Sequence, residues 1–181
     1  MDETGPLAGR VALVDASHGA ATKALLADAA EALPVYARLA GTEPPELVRA
    51  DAGADVARCD TVLLALALGP AAPRVEELPL SYAPAGARAY ALLAVSGDPQ
   101  VAAPALAALE ERCEERDLAW RGGLAVGDAR LLPQMARHPR MGWARRRVSE
   151  ALDRLLIALL AGQHAGENNV RPSRYARITC R

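Results

Sequence analysis

The chain has 181 residues and a formal net charge of −1; 51% of its residues are hydrophobic, and it holds 41 alanines, no phenylalanine and two isoleucines. Of its 21 basic residues, 20 are arginine, a bias that reports codon usage before it reports physics. The length suits one domain with a sizeable core, while the hydrophobicity and near-zero charge exclude a disordered chain and the basic field of a dedicated nucleic-acid binder.

In chain order, the segment Met1 to Pro6 is acidic and lacks the basic-then-apolar order of a signal peptide. Arg10 to Asp15 is a nearly continuous apolar run, the pattern of a strand buried on both faces. Ala16 to Ala20 has turn character, and Ala21 to Leu33 reads as a helix that Pro34 ends. Val35 to Leu39 reads as the second strand, Glu43 to Ala50 as a short helix, and Asp55 to Cys59 as a turn. Asp60 to Leu68 is the clearest buried strand in the chain. Residues 69–87 are rich in proline and form a loop with at most one short helix near Arg74 to Leu78. Ala89 to Val95 is the fourth strand, Val101 to Asp117 an amphipathic helix, and Leu118 to Gly123 the fifth strand. A loop runs through Pro139, a long helix follows from Met141 to Leu160, and residues 167–181 form a polar surface tail to a domain of residues 1–166.

Strand and helix alternating in this way call for an α/β fold: a three-layer, doubly wound, five-stranded parallel sheet. Ligands of such sheets sit beyond the carboxyl ends of the strands, so the loops at 16–22, 69–80, 96–100 and 124–139 carry the candidate chemistry. The first of them, Ser17-His18-Gly19-Ala20-Ala21-Thr22, offers hydroxyls and helix N-terminal amides to a phosphate. It is neither GxGxxG nor a Walker loop, and the same residues also serve as a plain helix cap with a turn glycine. Arg137, Arg140, Arg145, Arg146 and Arg147 form the one local basic cluster, either a binder of an anionic ligand or partner, or a solvated helix start. Cys59, Cys113 and Cys180 are odd in number and far apart, which argues against a disulfide framework or zinc knuckle. The residues give no warrant for metal, nucleic-acid or membrane binding, and a cytoplasmic location is expected.

Ser17, Gly19 and Thr22 are similar to the Ser/Thr-x-Thr-Gly-x-Thr phosphate loop of the flavodoxin-like superfamily. The resemblance, to flavodoxin and the NAD(P)H-dependent FMN reductase type, continues through Cys59 to Ala65, Leu109 to Glu114, Trp120 to Gly127, Leu131 to Pro133 and Asn168 to Arg177. It implies strand order 2-1-3-4-5, possible homodimerisation, and FMN bound for NAD(P)H-linked redox chemistry in which the flavin, not a side chain, does the work. It assigns the phosphate to Ser17, His18, Gly19, Ala20, Ala21 and Thr22, and the flavin ring to Gly69, Pro70, Ala71, Ser96, Gly97 and Asp98. The sequence departs from the family where the ring would stack, because Gly69 to Pro73 and Ser96 to Pro99 hold no aromatic residue. Val126-Gly127-Asp128-Ala129-Arg130 also stands where relatives carry a glycine-rich loop, and His18 stands where they carry a small polar residue. Two readings therefore stay open: an FMN-binding redox protein, or a domain without cofactor that acts by interaction or binds a small anion through the same first loop.

Overall fold

The computed structural model describes residues 9–50, 53–69 and 77–179. Six parallel strands form one sheet in the order β2-β1-β3-β4-β5-β6. They are β1 (Arg10–Asp15), β2 (Glu46–Arg49), β3 (Thr61–Leu68), β4 (Arg88–Val95), β5 (Ala119–Val126) and β6 (Gly166–Val170). The helices are α1 (Ala20–Leu39), α2 (Gly53–Val56), α3 (Ala103–Glu115), α4 (Leu132–Met135), α5 (Arg146–Leu160) and α6 (Arg174–Thr179).

Alternation along the strands divides the core into two. Val11, Leu13, Leu63, Leu92 and Val126 face α1, α4 and α5, whereas Ala12, Val14, Leu64, Leu93 and Ala125 face α2 and α3. Helix α5 seals the first face with Val148, Leu152, Leu155, Leu156 and Leu159, each buried leucine contributing roughly 1.5–3 kcal/mol. Tyr90 of β4 is fully buried beneath its end and donates its hydroxyl to the carbonyl of Gln163 at 2.8 Å.

Three expectations from sequence are corrected. Helix α1 does not stop at Pro34 but runs on to Leu39, so Val35 to Leu39 is helix rather than strand. Proline removes one helical hydrogen bond, but Leu33 and Ala37 on either side of it are fully buried, and that packing holds the helix through the break. The second strand is instead Glu46–Arg49, where a short helix was expected. Pro44 and Pro45 bias the chain toward extension, and Glu46 and Ala50 donate their N–H groups to Gly9 and Leu13 at 2.9 and 3.1 Å. The polar segment after Ala165 is not merely a tail: Gly166–Val170 pairs with β5 as a sixth strand, which raises the expected count from five.

The remaining differences are of boundary. Strand β5 extends to Val126, a 3-10 turn at Ala129–Leu131 leads into α4, and α5 begins at Arg146 rather than Met141. A 3-10 turn at Pro79–Tyr82 lies in the proline-rich segment, and one at Pro99–Ala102 precedes α3. No helix among the described residues is long and apolar enough to cross a membrane.

Candidate functional site

The first loop leaves β1 at Asp15 and enters α1 at Ala20. Asp15 Oδ1 accepts the backbone N–H groups of His18 at 2.8 Å and Ser17 at 3.3 Å. His18 holds φ at +51°, in the left-handed region that few non-glycine residues adopt. Ser17 Oγ accepts the N–H of Ala67 at 2.8 Å, which ties the loop to the end of β3. Thr22 is fully buried; its hydroxyl donates to the Gly19 carbonyl at 2.9 Å and accepts the Gly19 N–H at 3.1 Å.

These bonds decide how well the loop suits the phosphate of FMN. The Thr22 hydroxyl and the Gly19 amide are spent on each other, and a carboxylate already receives the amides of Ser17 and His18. Within the loop, the donors still uncommitted are the Ser17 O–H and the N–H groups of Ala20, Ala21 and Thr22, the first three residues of α1. The Thr22 hydroxyl and the amides of Ser17, His18 and Gly19 are thus spent within the loop, and a phosphate there would rest on the Ser17 hydroxyl and the three helix amides alone.

Of the residues expected at the flavin ring, Gly69 ends β3, and Pro70 and Ala71 lie outside the described residues. Ser96 and Asp98 are exposed, and Asp98 Oδ1 caps the following turn by accepting the Gln100 N–H at 3.1 Å. The Gly97 carbonyl accepts the Asp128 N–H at 3.1 Å, and a Cβ on Gly127 would come within 2.6 Å of that carbonyl. The loops after β4 and β5 are thus locked to each other. Tyr82 lies toward the opposite end of the sheet: the segment after it reaches Asp117 and Asp60, which precede β5 and β3.

The basic cluster is mostly structural. Arg140 forks between Asp28 of α1 and Asp153 of α5, while Arg145 reaches Asp28 Oδ2 at 2.7 Å and the His138 carbonyl at 2.9 Å. Burial, followed by the hydrogen bond to Asp153 and its charge, pushes the Tyr36 hydroxyl up to about 12. Arg146 pairs with Glu150 on its own helix at 2.7 Å. Both Cys59 and Cys113 are buried and unpaired, and burial pushes the Cys113 thiol up to about 12, so neither is a poised nucleophile.

A cavity of about 290 Å³ opens beside the first loop, on the α1 side of the sheet at the carboxyl ends of β1 and β2. Leu13, Leu26 and Ala27 supply its apolar lining; Asp15, His18, Lys23 and Arg49 supply the polar lining. His18, Lys23 and Arg49 are exposed, and their side chains have no partner among the described residues. Sequence reasoning named His18 but missed Lys23 and Arg49. Lys23, the chain's one lysine, follows the loop directly; Arg49 was out of reach because its strand was read as helix. No family model matches the chain, and no curated protein matches it either.

Proposed function

We propose that the chain is a flavodoxin-like domain that binds a small anionic molecule in the cavity between β1, β2 and α1. A parallel sheet whose first five strands follow the order 2-1-3-4-5, with helices on both faces, supports the superfamily. One observation carries the function: among the described residues, His18, Lys23 and Arg49 line one cavity without partners, beside the carboxylate of Asp15, whose Oδ1 the loop amides hold and whose Oδ2 has no hydrogen-bond partner. A volume near 290 Å³ suits a molecule smaller than a dinucleotide. The apolar lining gives it a place for a short hydrocarbon portion. No catalytic residue is assigned.

Flavin binding for NAD(P)H-linked chemistry is the competing proposal, and it rests on the free Ser17 hydroxyl proton and the Ala20, Ala21 and Thr22 amides. Separate calorimetric titrations with inorganic phosphate and with FMN distinguish the two. The anion reading expects saturable phosphate binding that Lys23→Ala or Arg49→Ala weakens about tenfold or more, as loss of a charged hydrogen bond does. Phosphate binding indifferent to both substitutions overturns it. A yellow complex with quenched flavin fluorescence, weakened by Ser17→Ala, supports the flavin reading instead.

A further inference from the structure

We propose that this cavity takes a dianionic oxyanion group and that His18 takes up a proton as the anion binds. The inference rests on the anion reading above and adds the ligand's charge class and the residue that selects it.

The argument is a charge balance. Among the described residues, the titratable and charged groups lining the cavity are Asp15 from β1, His18 from the loop, Lys23 from α1 and Arg49 from β2. With a neutral imidazole they sum to one positive charge, which a monoanion balances. With an imidazolium they sum to two, which a dianion balances. A dianion entering beside a neutral His18 leaves a negative charge uncompensated in a space walled by Leu13, Leu26 and Ala27. Such a charge favours the protonated imidazole, and by linkage the protonated imidazole favours the dianion. The proton comes from solvent, and no bond in the ligand changes.

Backbone geometry keeps His18 at this wall. Its N–H donates to Asp15 Oδ1 at 2.8 Å and its φ is +51°, so the backbone that carries the ring is tied to the end of β1. A left-handed position is where glycine costs least. Histidine, like asparagine, is among the residues that adopt this region more readily, and left-handed residues of this kind gather at binding sites.

The test uses sulfate, which stays a dianion from pH 5.5 to 8.0, so that its own charge does not vary. Calorimetric titration in two buffers of different ionisation enthalpy counts the protons taken up. Wild type is expected to take up protons at pH 6.5 and to bind sulfate about tenfold more tightly at pH 5.5 than at pH 8.0, within the usual range of linked sites. His18→Asn, which tolerates the left-handed backbone, is expected to abolish the uptake and the pH difference. Asp15→Asn keeps an acceptor for the loop amides but brings the lining to two positive charges with a neutral imidazole, so it is expected to diminish the uptake. Sulfate binding without proton uptake overturns this inference alone, as does uptake that survives in His18→Asn or is undiminished in Asp15→Asn. No sulfate binding at either pH overturns the anion cavity and this inference with it.

Discussion

Replacing Arg140 by alanine tests whether the basic cluster belongs to the interior or to a ligand. The guanidinium joins Asp28 on α1 to Asp153 on α5 and donates to the Asp28 carbonyl at 3.1 Å. Its side chain is 19% exposed, and those of Asp28 and Asp153 are 9% and 17% exposed. Breaking a fully buried ion pair costs about 3–5 kcal/mol, whereas an exposed pair is worth about 0–1 kcal/mol. Without Arg140, Asp28 keeps Arg145 at 2.7 Å, whereas Asp153 loses its ion-pair contact and keeps the hydrogen bond with Tyr36 and the more distant charge of Arg145. The loss therefore falls mainly on Asp153, and about 2–3 kcal/mol is expected between the two limits. For a chain of this size that lowers Tm by roughly 5–10 °C. Urea unfolding of Arg140→Ala, Asp153→Asn and the double variant measures it, with a coupling of about 1.5 kcal/mol or more expected between the two sites. A loss below about 0.5 kcal/mol would mean that Arg140 is solvated. The cluster would then return as a candidate anion site.

Three further outcomes follow from named contacts. His18→Gly relieves a left-handed residue at some cost in chain entropy, so a gain of about 0.5–1 kcal/mol in urea unfolding is expected together with weaker anion binding; a destabilised variant contradicts the strain. Gly122→Ala is expected to cost about 3 kcal/mol or more, because φ is +101° and the new Cβ would meet the Gly166 carbonyl at 2.4 Å; faster hydrogen exchange confined to β6 would report its detachment, and unchanged stability would contradict the pairing. Burial pushes the Asp60 carboxyl up, but bonds from Thr61, the amides of Arg10 and Gly9, and Arg88 outweigh it and hold the group below its ordinary value. The stability this supplies is complete above the ordinary carboxylate range and is lost as pH falls through the folded-state value, so Asp60→Asn is expected to flatten the acid limb of a stability–pH curve. An unchanged limb contradicts the assignment.

How much of the molecule was legible depended on how many neighbours each element has. β3 and β4 lie between two strands and under helices on both faces, so nearly every residue of Val62–Leu66 and Ala89–Val95 is apolar and the runs announce themselves. Edge strands carry no such signal. In β2 only Leu47 and Val48 pack inward, and β6 reads Gly-Glu-Asn-Asn-Val with its middle residues exposed. Pro34 misled for a related reason: its local cost was visible, while the burial of Leu33 and Ala37 that outweighs it is a tertiary fact. At the site, the loop was found from its position after β1. Asp15 was read as a strand end, so its hold on the loop amides could not be foreseen from the letters. Once β2 was misplaced, Arg49 had no route into the site.

The location of the bound anion tests the account most directly. Titrating sulfate into isotopically labelled protein and following backbone amide shifts reports it residue by residue. The account expects the largest saturable changes at His18, Lys23, Ala27 and Arg49, around the cavity between β1, β2 and α1. Changes confined to Ala20, Ala21, Ser96 and Gly97 would place the anion on the other side of the first loop and contradict it.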